Sequence, residues 1–295
     1  AVVAVIAAIL LPAGALKPQS ASGEVIHERE TTYQYARVVE SDAGTRTLEL
    51  NEGLAVHSVY RRGEYLNGGW WDDFLVLPAM LRGRAPLRIA ILGNAAGTTA
   101  RSYGRFFPDT RVVGVELDGE LSEIGKRYFE LGGPNLELVT GDARPYLLET
   151  TERFDAIFLD AYRQPYVPFY LATREFFELV RDRLTPDGVV LVNIGHPEGS
   201  DQLESVMTAT IGSVFDPVLR DAAGRRNTLL IAGAGSLDIG AGGLAVLPPA
   251  LRATGTEALQ RIEPGLTGGE VYTDDRAPVE WLIDKSIISY ASEQG

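Results

Sequence analysis

The sequence predicts an α/β protein built on an open, mainly parallel sheet with helices on both faces, preceded by a small antiparallel β-region. Three observations predict it. After Pro86, apolar strand-like runs alternate with amphipathic helical runs, the pattern of strands joined by helical crossovers. The first of those strands, Arg88 to Leu92, runs straight into the small residues Gly93-Asn94-Ala95-Ala96-Gly97, which open a helix. The next strands are each followed by an acid, Glu116, Asp142 and Asp160, at the edge where open α/β sheets bind ligands.

Taken in order, Ala1 to Leu16 is apolar apart from glycine and proline, shorter than the roughly 20 residues needed to span a bilayer. It reads as the end of a truncated membrane helix, a signal-peptide remnant without its basic start, or an apolar arm packed on the body. A membrane tether through it is one expectation. Lys17 to Gly23 reads as a linker. Thr31 to Glu40 and Arg46 to Leu50 read as strands, and Ser41-Asp42-Ala43-Gly44 between them suits a hairpin turn. Such small hairpins need further burial, so this region is expected to pack beside the ligand edge and to support a homodimer. Trp70 to Leu81 carries apolar residues at helical spacing, interrupted by Gly83 to Pro86.

The strands predicted beyond are Arg88 to Leu92, Arg111 to Val115, Leu136 to Val139, Ala156 to Leu159 and Val189 to Ile194. Helices begin between them near Thr98, Gly119, Ala143, Thr173 and Gly199, and Pro217 to Leu219 with Thr228 to Ala232 reads as a closing antiparallel pair. The predicted organisation is therefore an apolar segment and linker at 1–23, a β-region with a connecting helix at 24–82, and a nucleoside-binding catalytic domain at 83–295.

Composition narrows the function. An apolar content of 45% fills a real core. With 40 acidic against 27 basic residues and a net charge of −13, clustered phosphate contacts are disfavoured, so no nucleic-acid partner is expected, whereas a cationic substrate is tolerated. The absence of cysteine excludes disulfides and thiolate metal sites. His27, His57 and His196 are widely spaced and form no ligand pattern, so no metal site is expected.

The chemistry concentrates at the strand ends. Small residues from Gly93 to Gly97 let backbone approach a ligand closely, although a tight βα turn without ligand uses similar residues. Glu116 lies about 20 residues beyond this turn, the spacing of an acid that accepts ribose hydroxyls, against the alternative of an exposed acid near a helix start. Asp118 looks more like the cap of that helix. Asp142 is placed to accept from an adenine amino group or, alternatively, to cap the next helix. Asp160 arrives on the same edge near the topological switch point.

This combination resembles the S-adenosylmethionine-methyltransferase-like Rossmann fold rather than the nicotinamide-binding one, whose Gly-x-Gly-x-x-Gly fingerprint is absent. Thr31-Thr32-Tyr33-Gln34 and Leu48-Glu49-Leu50-Asn51-Glu52-Gly53 resemble the Tyr-Gln and Leu-Asp-Gly elements of the spermidine synthase family, the polyamine aminopropyltransferases. Thr273-Asp274-Asp275-Arg276-Ala277-Pro278-Val279-Glu280 resembles the closing motif of spermidine-synthase-like proteins, including those fused to membrane segments. The resemblance spans about Glu24 to Trp281.

It implies an aminopropyl transfer from decarboxylated S-adenosylmethionine to an amine or polyamine, with methylthioadenosine released and no tightly bound cofactor. Gly93, Gly97, Glu116, Leu117, Asp142 and Ala143 would then hold the nucleoside, Gln34 and Tyr162 the acceptor, and Asp160 would be the catalytic carboxylate. The physics of the step agrees, because an amine is a nucleophile only when neutral and needs a group to take its proton. The implied location is the cytoplasm, at the membrane if the apolar start is a tether. The same sheet and acids would also serve an S-adenosylmethionine-dependent methyltransferase, or a noncatalytic nucleoside-binding module.

Several positions depart from the family pattern. Ala95 stands where the glycine loop of polyamine synthases carries an aspartate that holds the amine. Asp160-Ala161-Tyr162-Arg163-Gln164-Pro165 keeps the first acid of Asp-Ser-Ser/Thr-Asp-Pro and replaces the second by Arg163. The Tyr-His-Glu element is replaced by Trp70-Trp71-Asp72, whose indoles either wall a methylene chain or pack in the core. Tyr162, Tyr166 and Tyr170 form either a lid or a loop with buried tyrosines.

Overall fold

The computed structural model describes residue 20 and residues 23–51, 55–162, 167–222 and 224–284. The chain divides into two compact units, Ala1–Glu64 and Tyr65–Gly295. The apolar start on which a membrane tether would depend lies outside the described residues. Among those described, no helix is long and apolar enough to cross a membrane.

In the first unit, β1 (Glu24–Glu30), β2 (Tyr35–Glu40), β3 (Arg46–Leu50) and β4 (Val56–Tyr60) form an antiparallel sheet in sequence order. The Ser41–Gly44 hairpin closes as expected, with the Ser41 N–H bonded to the Thr45 carbonyl at 2.9 Å. The expected strand from Thr31 to Glu40 needs correction. Thr31 Oγ1 accepts the N–H groups of Tyr33 and Gln34 at 3.1 and 3.0 Å, and the Thr31 N–H bonds the Gln34 carbonyl at 2.8 Å. This side-chain turn competes with the ladder and holds residues 31–34 outside it, so a separate strand, β1, precedes it. Arg37 and Glu49 pair directly across β2 and β3, an ion pair buried between two apolar stretches.

In the second unit the elements run α1 (Trp70–Arg82), β5 (Arg88–Leu92), α2 (Thr98–Phe106), β6 (Arg111–Glu116), α3 (Gly119–Tyr128), β7 (Leu136–Thr140), α4 (Ala143–Glu149) and β8 (Phe154–Leu159). They continue through α5 (Arg174–Arg183), β9 (Leu184–Gly195), α6 (Gln202–Gly212), β10 (Val218–Asp221), β11 (Asn227–Gly233), α7 (Arg252–Arg261) and β12 (Ile262–Pro264). The sheet order is β12-β10-β11-β9-β8-β5-β6-β7. From β9 to β7 all pairs are parallel, and β11, β10 and β12 join antiparallel. All five expected parallel strands and the closing pair are present. β9 begins earlier than Val189, α6 begins at Gln202 rather than near Gly199, and α7 with β12 was not foreseen.

The interior strands β5 and β8 are buried almost throughout, as apolar runs covered on both faces must be. One apolar cluster includes Leu92, Val115, Leu159, Phe176 and Ile194, and the other includes Phe74, Met80, Ile91, Phe158 and Leu229. Successive strand residues alternate between them, as Ile91 and Leu92 or Phe158 and Leu159 do. Helix α1 is buried from Trp71 to Leu81 on all sides, and Gly83, at φ 66°, ends it by donating to Met80 while Arg84 donates to Ala79. Asp73 of α1 and Asp221 of β10 share Arg261 of α7, which stitches α7 to α1 and to the sheet. Burial pushes the Asp73 carboxyl up to about 7.

Candidate active site

The loop after β5 sits against the end of β8. Gly93 has φ 91°, and a Cβ there would lie 2.5 Å from the Asp160 carbonyl oxygen and 2.7 Å from the Ala161 backbone. Only glycine fits this approach. The N–H groups of Gly93 and Asn94 bond the Val115 carbonyl, the Asp160 N–H bonds the Leu92 carbonyl, and the Gly141 N–H bonds the Glu116 carbonyl. Backbone bonds thus lace together the carboxyl ends of β5, β6, β7 and β8, and bring Gly93, Glu116, Asp142 and Asp160 to one edge of the sheet. Gly97, at φ 86°, opens α2 where a side chain would collide with Leu131.

Glu116 is buried, with Oε2 accepting the Ala95 N–H at 2.8 Å and Oε1 accepting the Asp118 N–H at 3.0 Å. Burial raises its pKa, and the amide donors oppose that rise. Ala95 adopts φ 45°, an uncommon conformation for a residue with a Cβ, in presenting its N–H. Each Glu116 oxygen retains acceptor capacity, which suits a pair of vicinal hydroxyls. Leu117 follows as an exposed apolar side chain, and Ala143 is buried at the start of α4.

Asp142 takes the capping position weighed above. Its Oδ1 accepts the Arg144 N–H at 2.9 Å, and its Oδ2 accepts the Tyr170 hydroxyl at 2.6 Å. Tyr162 directs its hydroxyl to the β9 backbone, donating to the Asn193 carbonyl at 2.7 Å and accepting the Gly195 N–H. That commits the hydroxyl and leaves the ring. Burial drives its pKa well up. Arg163 and Tyr166 lie outside the described residues. Gln34 lies in the first unit, in the turn between β1 and β2.

The closing motif anchors this edge. Asp274 receives both Arg144 nitrogens, at 2.8 and 2.5 Å, and the Thr173 hydroxyl at 2.7 Å, while Arg144 also donates to the Tyr170 carbonyl. The Arg144 hydrogen bonds hold the Asp274 carboxyl below its ordinary range. A lowered carboxyl stabilises the fold above its unfolded pKa and loses that effect as pH falls through its folded one. Asp274→Ala is therefore expected to cost about 1 kcal/mol at pH 7, modest because the carboxylate is half-exposed. Urea denaturation checks it: the difference from wild type should shrink on acidification, and a difference independent of pH would contradict an ionic role.

Asp160 follows β8, with Oδ1 accepting the Asn193 amide at 2.8 Å. Burial pushes its carboxyl up to about 6, opposed by the Asn193 hydrogen bond and the Trp70 indole and reinforced by the charge of Glu116. Asn227 in turn donates to Asn193 Oδ1 at 2.9 Å, fixing which end of the amide meets the acid.

The spermine/spermidine synthase domain model matches residues 75–222, from within α1 to just past β10. The chain belongs to the spermine/spermidine synthase family. A probable polyamine aminopropyl transferase of Bifidobacterium longum is 29% identical over 279 residues, covering 87% of this chain and 61% of that protein. The chain thus spans less than two thirds of that relative's length. In fold it is similar to a probable spermidine synthase from Corynebacterium glutamicum, with a TM-score of 0.66, 20% identity, and coverage of 86% of this chain and 100% of that one. It is also similar to a spermidine synthase in complex with the transition state analogue AdoDATO, with a TM-score of 0.61, 18% identity, and coverage of 89% and 84%.

The stretch matched to the family contains the glycine loop, Glu116, Asp142, Asp160 and Asn193, while Trp70, Asn227 and Asp274 lie outside it. Sequence reading missed Asn193 altogether. Its signal is a lone amide in the apolar run Val189 to Ile194, one position beyond Val192, the register partner of Leu159. Trp70 is only partly buried and lies close enough to Asp160 to hold its pKa down, while Trp71 is buried and packs against it with ring centroids 4.3 Å apart and the planes tilted by 34°. Sequence alone left both indoles between core and site, and the structure separates them.

Proposed function

We propose that the chain moves an aminopropyl group from decarboxylated S-adenosylmethionine to an amine and releases methylthioadenosine. The observation that carries this reading is Asp160: a desolvated carboxylate fixed by Asn193, on the edge that also presents the glycine loop and Glu116. The names of the family and of the relatives support the same chemistry.

In the proposed step the neutral amine nitrogen attacks the aminopropyl carbon bonded to the sulfonium. A C–N bond forms, the C–S bond breaks, and its electron pair passes to sulfur, leaving the neutral thioether. The new ammonium gives its proton to the Asp160 carboxylate. With its pKa near 6, Asp160 is ionised at neutral pH yet more basic than an ordinary aspartate, which suits a proton acceptor. Glu116 holds the ribose diol, Asp142 and Leu117 meet the adenine, and Gly93 and Gly97 keep the loop close to the donor.

Calorimetry with methylthioadenosine tests the nucleoside half of this proposal. Glu116→Ala is expected to weaken binding by about 1 to 3 kcal/mol, the loss of charge-assisted hydrogen bonds. Unchanged affinity would assign Glu116 to holding the loop alone. Release of methylthioadenosine from the donor only when an amine is added tests the transfer half.

A further inference from the structure

The acids near the ligand edge differ in what they have left to offer. In the transfer reading Glu116, which also accepts the amides of Ala95 and Asp118, is committed to the ribose, and Asp142, which accepts the Arg144 amide and the Tyr170 hydroxyl, to the adenine. Asp118 caps α3 through the Glu120 N–H. Asp72, two residues from Trp70, turns back to accept the N–H groups of Asn67 and Gly68, each at 2.8 Å. Asp160 is the acid whose described neighbours are a single amide donor and an indole. The Trp70 Nε1, although buried, has no hydrogen bond of standard geometry, yet the indole lies close enough to lower the Asp160 pKa, which places the ring next to the carboxylate.

Charge then restricts the acceptor. The donor already brings a sulfonium and its own ammonium to this edge. A diamine attacks through one neutral nitrogen but keeps a second ammonium, which needs a carboxylate in a desolvated site. A monoamine attacks neutral and adds no charge. Its carbon arm needs only an apolar surface, which the partly exposed Trp70 indole, backed by buried Trp71, supplies next to Asp160.

We infer that the preferred acceptor is a primary monoamine, its nitrogen beside Asp160 and its apolar or aromatic arm on the Trp70 indole. This rests on the transfer reading above and narrows its substrate class.

Methylthioadenosine release at saturating decarboxylated S-adenosylmethionine, with n-hexylamine and 2-phenylethylamine against putrescine and 1,3-diaminopropane, tests it. The better monoamine is expected to exceed both diamines in kcat/KM by at least about tenfold, the scale on which a mismatched group in a pocket is rejected. Trp70→Ala should raise KM for that monoamine by about tenfold or more, with a smaller change in kcat, and Trp70→Phe should keep most of the affinity. A diamine equal to or better than both monoamines overturns the inference and leaves aminopropyl transfer standing. Release with no amine of either kind overturns both, and an unchanged KM in Trp70→Ala removes Trp70 from the acceptor's path.

Discussion

Asp160→Asn is expected to lower turnover by about 10²- to 10⁴-fold, the range for loss of a general base, while leaving methylthioadenosine affinity nearly unchanged. The separation follows from position. In the proposed step the carboxylate lies beside the reacting amine and contributes mainly at the transition state, whereas the nucleoside would be held by Glu116, which accepts the Ala95 amide, and by the glycine loop. Asn at this position keeps an oxygen for the Asn193 amide but cannot take a proton. Single-turnover kinetics with calorimetry on the same preparations checks both halves, and equal losses in both would mean that the substitution had disturbed the edge as a whole.

The pH dependence carries a matching signature. With a folded pKa near 6, the wild-type plot of log kcat/KM should steepen below about pH 6, where Asp160 becomes protonated, and the variant plot should not. Stability moves the other way. A carboxyl whose folded pKa lies above its unfolded value of 3.8 loses stability as pH rises from that value through 6. At neutral pH this amounts to about 3 kcal/mol at most for such a shift. Asp160→Asn should therefore be no less stable than wild type at pH 7.5, and gains stability as far as the new amide is satisfied. A less active and clearly less stable variant would contradict this account of the site.

Gly93→Ala is expected to destabilise the fold by about 2 to 5 kcal/mol, from a positive φ that alanine resists and from overpacking against backbone that cannot step aside. The atoms met are the Asp160 carbonyl and the Ala161 backbone, so relief of the clash must move the strand-end edge that carries Asp160. Nucleoside binding should fall together with stability. Gly132→Ala is the control: nothing lies within 4 Å of a Cβ there, and the change should stay within about 0.5 kcal/mol. Urea midpoints for the two variants decide the matter, and a Gly93→Ala protein as stable as the control would refute the close approach.

The sheet was legible because burial on both faces writes itself as apolar runs, and each of Arg88–Leu92, Arg111–Glu116 and Phe154–Leu159 is such a run. The helix starts at Gly119 and Ala143 were legible through the caps Asp118 and Asp142. The N-terminal strand β1 was not, because a run with three glutamates and an arginine carries no alternation, and its pairing with β2 is what makes it a strand. At the site, acids at strand ends could be found from spacing, since position alone brings them to one edge. Asn193 could not, because its role depends on parallel register between β8 and β9, which no local pattern reports. The sequence marked Trp70-Trp71-Asp72 as a departure from the family's Tyr-His-Glu element, and the turn at Asn67 and Gly68 shows what the Asp72 carboxylate accepts there.

The most direct test of aminopropyl transfer is mass spectrometry of the complete reaction of decarboxylated S-adenosylmethionine with an amine panel, following both products at once. The expected result is an acceptor heavier by one aminopropyl group, formed in equal amount with methylthioadenosine by the wild type and reduced at least about 10²-fold in Asp160→Asn. Methylthioadenosine without an aminopropylated partner, or equal product from the two proteins, would contradict it.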